Sequence, residues 1–197
     1  SYIKIFLISL FLTIRLSVPF CEYTEEDVQI LGDTMWLENG HTGKTEEDNL
    51  RCLILTGAVV VNRVKSDDPW WHKTGAKTVY DVVYAPGQYA KATRDRIGRT
   101  DTPQWVYDLA EEILRYGTTV PEYVIYQSQQ PNLDTRWCPP IAGEYFATAG
   151  GHKNEGENWD VRTRKKEYQE AVIREMVKEW NKSFKKIVKR LRKLLAS

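Results

Sequence analysis

The feature that most constrains the fold is the stretch Asn49–Lys65 (NLRCLILTGAVVVNRVK), which is apolar nearly all the way around a helix. A helix that is hydrophobic on every side is buried inside a protein. The other elements of this 197-residue chain are therefore expected to pack around a central helix. Since domains contain roughly 100–200 residues, the length predicts one domain, or one domain with appendages.

Shorter helices and two strands are predicted around this central helix. Thr24 can cap a helix whose first turn is acidic, and that helix is expected to run to about Leu37 and to end near Gly40. The remaining predictions are a loop at 66–75, a short helix or turn at Val79–Tyr84, a helix opened by Asp101-Thr102-Pro103 that ends at Gly117, and strands at Tyr123–Gln127 and Glu144–Thr148. Helices followed by a small antiparallel sheet predict the α+β class.

The C-terminal region differs in charge from the rest of the chain. The whole chain has a net charge of +1, but from Lys153 to Ser197 there are 14 Lys or Arg against 7 Asp or Glu. Apolar residues recur there at steps of four and three, which predicts one long basic amphipathic helix. The positions of this seam are Ile173, Val177, Trp180, Phe184, Ile187, Leu191 and Leu194.

Three interpretations of this C-terminal helix remain open. It can dock on the body of the protein, pair with a second copy, or lie on an anionic surface such as a membrane or an anionic wall polymer. Docking or self-association is the simplest of these, and the basic face would still act as an electrostatic tether. A nucleic-acid partner is not expected.

An apolar segment precedes the helices. Ile5–Ile14 is uncharged, follows Lys4 and is interrupted by Arg15. A run of this length falls short of the ~20 residues that span a bilayer, and it matches the hydrophobic part of a signal peptide. A buried N-terminal element and an uncleaved anchor are the alternatives. The expected organisation is a signal peptide or anchor at 1–22, the main domain at 23–152, and a linker with the basic helix at 153–197.

The cysteines and histidines give no sign of a metal or a disulfide scaffold. The three cysteines are too few for such a scaffold, and none has the spacing of a CxxC motif. The three histidines are scattered and lack the paired spacing of zinc ligands, which disfavours a zinc amidase. No cofactor is expected.

Glu38 is the first candidate for chemistry. It follows Met35-Trp36-Leu37 at the expected end of the first helix. A carboxyl group beside apolar side chains is poorly solvated when charged, and the helix C-terminus adds negative potential, so both effects raise the pKa of Glu38. A protonated carboxyl near neutral pH is what glycoside cleavage requires. Most glutamates at helix ends are solvated surface groups, so this signal alone does not identify Glu38 as a functional residue.

Two further segments can support a site. Pro86-Gly87 predicts a tight turn that presents Gln88 and Tyr89 outward together, where an amide and an aromatic ring suit a sugar. A structural turn with a core tyrosine is the simpler interpretation of that segment alone. Asn62 ends the buried helix beside Arg63, and a buried Asn should be hydrogen-bonded, so we expect structural support from this pair.

Together these segments resemble the catalytic domain of the SleB/CwlJ cell-wall hydrolases, the spore cortex-lytic enzyme family. The resemblance covers about 25–152, and its most specific part is the Asn-Arg-Val helix followed by the Pro-Gly-Gln-Tyr turn. The matching segments are Trp36-Leu37-Glu38, Ala58–Ser66 (AVVVNRVKS), Val82–Tyr89 (VVYAPGQY), Tyr123–Gln127 (YVIYQ) and Ile141–Phe146 (IAGEYF).

The resemblance implies a lysozyme-like fold and cleavage of the glycan strands of peptidoglycan, in an exported or phage-associated protein. Glu38 stands at the position of the family's catalytic acid. These enzymes are regarded as lytic transglycosylases, in which a single carboxyl group suffices. Candidate substrate-binding residues are Gln88, Tyr89, Tyr126, Gln127 and Trp137, although Trp137 has core packing as an alternative role.

The sequence departs from the family's pattern after Glu38. Family members often read Glu-[AS]-Arg-Gly-Glu, whereas this chain reads ENGHT at 38–42 and lacks the second Glu. Glu46 or Glu47 could supply the second carboxylate of a water-using muramidase. The simpler interpretation is that both belong to a solvated helix N-terminus. A non-catalytic wall-binding or virion structural protein with the same fold is the remaining alternative.

Overall fold

The protein is mainly helical with a small antiparallel sheet, which confirms the predicted α+β class. A computed structural model describes residues 19–40, 45–129, 137–138, 140–141, 143–148 and 161–195. Residues 1–18 of the predicted signal peptide or anchor, and residues 153–160 of the predicted C-terminal region, lie outside these residues. The elements are α1 (Glu25–Asn39), α2 (Glu46–Lys65), α3 (Pro69–Thr74), α4 (Val79–Tyr84), α5 (Lys91–Arg96), α6 (Gln104–Tyr116), β1 (Val124–Ser128), β2 (Tyr145–Thr148) and α7 (Lys165–Leu195).

The chain divides into two compact units. One is the body, Pro19–Arg164, and the described part of the other is α7. Within the body, α2 contacts α1, α4, α6 and β1, and its residues from Cys52 to Arg63 are all buried. The predicted central helix is therefore confirmed, and it begins three residues earlier than expected because Thr45 caps it.

Helix α1 has defined ends that hold Glu38 in place. Thr24 and Asp27 form a capping box at its start, in which the side chain of each residue accepts a hydrogen bond from the backbone N–H of the other. At its end the indole ring of Trp36 lies against Gly40, where an added Cβ would approach the ring to 2.3 Å. A side chain at position 40 would displace this ring, so glycine is required directly after the helix that carries Glu38.

A buried carboxylate fastens the loop before α6 to α1. Asp33 is fully buried and accepts three hydrogen bonds: from the Gly98 backbone N–H at 2.7 Å, the Thr102 hydroxyl at 2.7 Å and the Tyr107 hydroxyl at 2.6 Å. Hydrogen bonds to an ionised acceptor are about twice as strong as neutral ones. Asp33 thus joins three separate parts of the chain.

The sheet contains a bulge that the end of α2 supports. Val124 pairs with Thr148 and Tyr126 pairs with Ala147, so Ile125 is the additional residue in β1. The freed carbonyl oxygen of Ile125 accepts a hydrogen bond from Arg63 Nε at 2.6 Å. Because of the bulge, Val124 and Ile125 are both buried, and the side chain of Tyr126 is exposed.

Asn62 secures the entry to the same strand. Its side-chain amide donates to the carbonyl oxygens of Pro121 at 2.8 Å and Val124 at 3.0 Å. The prediction that a buried Asn62 is hydrogen-bonded is confirmed, and its contacts are those of a structural residue.

Two short helices were not predicted. The predicted loop at 66–75 contains α3, which opens with Pro69 and buries Trp71. Proline is suited to the first helical position, a signal that the sequence interpretation did not use. Helix α5 has no buried residue and no side-chain cap, so it carries neither of the patterns from which a helix can be predicted.

The body begins before the predicted boundary at 22/23. The backbone N–H groups of Phe20 and Cys21 donate to the carbonyl oxygens of Arg115 and Leu114 at the end of α6. Gly117 has a φ of +72°, and a Cβ there would meet the Phe20 ring at 2.9 Å. Glycine is therefore favoured at position 117 by backbone conformation and by space.

Helix α7 is longer than the seam that predicted it and begins at Lys165. None of the described helices combines the length and the apolar character needed to cross a bilayer.

Candidate active site

Glu38 lies in the last turn of α1 and is partly buried. Its Oε1 accepts a hydrogen bond from the Thr93 hydroxyl at 2.7 Å. Burial raises the pKa of Glu38 above its ordinary value, although the Thr93 bond opposes this and a nearby carboxylate, Glu144, adds to it. The direction of this shift is the one that the apolar surroundings of Glu38 predict.

Glu144 is a second carboxylate that the sequence interpretation did not place near Glu38. It is only 5 % exposed and sits in a tight turn in which its backbone exchanges two hydrogen bonds with Ile141. Gly143 makes this turn possible with a φ of +90°. The signal that could have found Glu144 is a charged residue within the otherwise apolar segment 141–147.

A chain of contacts through α2 brings the two carboxyl groups to the same region. Asn39, next to Glu38, donates from Nδ2 to Thr56 Oγ1 at 2.6 Å, and the Thr56 hydroxyl donates to the Cys52 carbonyl at 2.9 Å. The Cys52 thiol in turn lies 3.9 Å from the Ile141 carbonyl oxygen, in the turn that holds Glu144. One face of α2 therefore holds both carboxyl-bearing segments.

Tyr89 and Arg63 form the buried side of the site. Tyr89 is 6 % exposed, and the Arg63 guanidinium lies 4.9 Å from the Trp71 ring centroid and 5.8 Å from that of Tyr89. Burial raises the pKa of Tyr89; the charge of Arg63 opposes this rise, and the charge of Glu38 adds to it. Among the described residues, the Tyr89 hydroxyl has no hydrogen-bond partner.

Gln127 and Tyr126 come from β1. Gln127 Nε2 lies 3.5 Å from Glu144 Oε2, and Gln127 Oε1 is buried without a hydrogen-bond partner in the described part of the chain. Tyr126 is 42 % exposed. Buried polar atoms are nearly always paired, so Gln127 Oε1 and the Tyr89 hydroxyl are exceptions among the described residues.

We call the side chains of Glu38, Arg63, Tyr89, Thr93, Gln127 and Glu144 the Glu38 cluster. The sequence interpretation named four of them and missed two, Thr93 and Glu144. Thr93 was missed because it lies on α5, which carries no predictive pattern. The cluster contains two carboxyl groups, Glu38 and Glu144, and two buried polar atoms without a described partner.

The turn before Tyr89 has the predicted geometry, but of the two residues predicted to point outward only Gln88 is partly exposed to solvent. The Gln88 backbone N–H donates to the Ala85 carbonyl, and Gly87 has a φ of +76°, as a type II turn requires. Gln88 is partly exposed, whereas the Tyr89 ring is buried in the core. The predicted outward presentation of Tyr89 is therefore wrong, because its ring packs with the core beside Arg63.

The other candidates lie in different surroundings. Trp137 is 3 % exposed and packs with Cys52 and Phe146 in the core, as its alternative role predicted. Glu46 and Glu47 form the exposed first turn of α2, where Glu47 pairs with Arg51 at 2.5 Å. They have the surroundings of the solvated helix N-terminus that the simpler interpretation predicted.

In the segments that the structure describes, no three Asp, Glu, His or Cys side chains are grouped as metal ligands. Its three cysteines, Cys21, Cys52 and Cys138, are buried as free thiols.

Comparisons of the chain with known protein families, with curated proteins and with solved structures give no match, so the site geometry alone supports a function.

Proposed function

We propose that this protein cleaves the glycan strands of peptidoglycan between N-acetylmuramic acid and N-acetylglucosamine, as a lysozyme-like enzyme of the SleB/CwlJ type. The observation that carries the proposal is the partly buried Glu38 carboxyl group, whose pKa is raised by burial at the end of α1. A carboxyl group of this kind can donate a proton to a leaving glycosidic oxygen near neutral pH. Export to the cell wall, or association with a phage, follows from this substrate.

The proposed reaction is that of a lytic transglycosylase. The Glu38 carboxyl donates its proton to the glycosidic oxygen as the bond from that oxygen to C1 breaks. The resulting carboxylate then accepts the proton of the C6 hydroxyl of muramic acid, whose oxygen bonds to C1. The product carries a 1,6-anhydro ring, and no water is consumed.

The substrate contacts are assigned by what each side chain offers. The buried Tyr89 ring supports the site from the core beside Arg63, and the Gln127 amide lies against the Glu144 carboxylate at 3.5 Å. Tyr126 offers an exposed ring for the apolar face of a sugar, and Gln88 offers an amide for hydroxyl groups. Trp137 supports the site by packing, because its ring is buried.

Glu144 favours a water-using muramidase as the second candidate. A second carboxylate beside the acid can remove a proton from water as the water oxygen attacks C1. Here Glu144 would take the role that the sequence assigned to Glu46 or Glu47, since it is the carboxylate that affects the pKa of Glu38. A non-catalytic wall-binding or virion structural protein is the third candidate.

The products of digestion distinguish these candidates. Purified peptidoglycan is incubated with the protein in heavy-oxygen water, and the released fragments are analysed by mass spectrometry. We expect anhydro-muramyl ends that contain no heavy oxygen. Reducing ends that carry heavy oxygen would support the water-using enzyme, and intact glycan strands would contradict both.

The pH dependence of cleavage should respond in opposite directions to two substitutions. The Thr93 hydrogen bond lowers the pKa of Glu38 and the Glu144 charge raises it. Since the acid acts in its protonated form, activity is lost as the pH rises through the pKa of Glu38. We expect Thr93→Val to move this loss to higher pH and Glu144→Gln to move it to lower pH. Profiles that move together, or not at all, would count against Glu38 as the acid.

A further inference from the structure

Helix α7 carries an exposed stripe of apolar side chains. Its members, all between 44 % and 65 % exposed, are Ile173, Met176, Val177, Trp180 and Phe184. At 3.6 residues per turn these positions share one face of the helix. Single exposed apolar residues are ordinary, but a contiguous apolar surface marks an interaction site. We call this surface the α7 stripe.

The charges of α7 change along its length. Up to Lys182, basic side chains pair with acidic ones on the same helix: Arg174 with Glu170, Lys178 with Glu175 and Lys182 with Glu179. After Glu179 the sequence contains no acidic residue, and six further Lys or Arg lie between Lys185 and Lys193. This second half therefore needs negative charge from outside the helix.

A second copy of α7 does not provide that charge. In a parallel pair the two cationic halves would lie side by side and repel one another. In an antiparallel pair each cationic half would meet 165–179, which has four Lys or Arg and four Glu and is therefore neutral. A polyanionic wall polymer would neutralise the charge but would leave the aromatic side chains of the α7 stripe in water.

An anionic lipid surface satisfies both features. Its headgroups pair with Lys and Arg, whose long side chains extend to the headgroup level, and its acyl boundary accepts the apolar side chains. Trp180 suits that boundary in particular, because its ring is apolar and its N–H is polar. Phe184 lies one turn further along the same stripe.

We propose that α7 is an interfacial helix that binds the surface of an anionic lipid bilayer through the α7 stripe and the cationic half that follows Glu179. It lies in the plane of the membrane and does not cross it. Such binding would hold the protein at the membrane surface, and it is independent of the reaction at the Glu38 cluster.

The test is co-sedimentation of the full chain with vesicles. Vesicles of equal parts phosphatidylglycerol and phosphatidylcholine are compared with vesicles of phosphatidylcholine alone. We expect binding to the first and not to the second. Binding should weaken as salt increases, since the Debye length falls from about 10 Å at 0.1 M to about 3 Å at 1 M.

Two variants separate the apolar contribution from the charge. The double change Trp180→Ala and Phe184→Ala should weaken binding to the anionic vesicles roughly tenfold or more. Lys185→Glu should weaken it by roughly tenfold. The matched controls on the body are Trp105→Ala, which removes another exposed tryptophan, and Lys77→Glu, which reverses another exposed lysine. Both controls should bind as the unchanged protein does.

Three results would overturn the proposal. The first is the absence of binding to anionic vesicles, accompanied by a dimer in sedimentation equilibrium that the double change dissociates. The second is absence of binding together with a lowered melting temperature of the double variant, which would indicate docking on the body. The third is unchanged vesicle binding by the double variant, which would show that the α7 stripe does not contribute and that the basic side chains alone bind the lipid headgroups.

Discussion

Glu38→Gln is expected to reduce the rate of peptidoglycan cleavage by about 10²–10⁴-fold, the contribution typical of a general acid. The amide has nearly the shape of the carboxyl group but has no proton to donate to the glycosidic oxygen. The rate is measured as release of soluble sugar fragments from purified cell walls. Binding of the walls, measured by co-sedimentation, should persist in the variant.

The matched control is Glu46→Gln, which makes the same chemical change in the exposed first turn of α2. We expect its rate to equal that of the unchanged protein.

A thermal melt tests whether the Glu38→Gln variant is folded. Burial raises the pKa of Glu38 in the fold, so its charge lowers the stability as the pH rises through that pKa. Glu38→Gln should therefore melt no lower at neutral pH. An unreduced rate would instead favour the non-catalytic protein.

Asp33→Ala is expected to lower the free energy of unfolding by about 3–5 kcal/mol, because it leaves three buried or partly buried donors without their acceptor. For a chain of this size that corresponds to a fall in melting temperature of roughly 10 °C. The measurement is urea or thermal unfolding followed by circular dichroism. Such a loss would be a large part of the stability of a typical domain, which is about 5–15 kcal/mol.

Two variants calibrate this result. Asp33→Asn keeps the shape and one acceptor oxygen, and the two hydroxyl donors can rotate to accept, so it should destabilise less than Asp33→Ala. Asp108→Ala removes an exposed carboxylate from α6 and should change the stability by no more than about 0.5 kcal/mol. If Asp33→Ala has the same melting temperature as Asp108→Ala, the hydrogen bonds of Asp33 do not hold the loop before α6 on α1.

The parts of the fold that were predicted from the sequence are those with a local cause. The cap at Thr24, the apolar surface of α2 and the proline–glycine turn before Gln88 act over a few residues, and their patterns are visible in the sequence. The bulge at Ile125 has no such cause. It depends on the hydrogen bond from Arg63, which comes from a distant part of the chain.

The same distinction applies to the candidate site. Glu38 was predicted because its apolar neighbours and the helix end adjoin it in sequence. Glu144 approaches it through packing of the Ile141–Glu144 turn against α2, and no local pattern reports that contact. Tyr89 shows the opposite error. The local turn predicted an exposed side chain, but the Tyr89 ring packs with the core and is buried.

The central claim is that burial keeps the Glu38 carboxyl group protonated above the range of an ordinary glutamate. Titration of the glutamate side-chain carboxyl carbons by NMR tests this directly, with Glu38→Gln used to assign the signal. The account predicts a pKa for Glu38 above the ordinary value of 4.5, lower in Glu144→Gln and higher in Thr93→Val. A pKa at or below the ordinary value would contradict it.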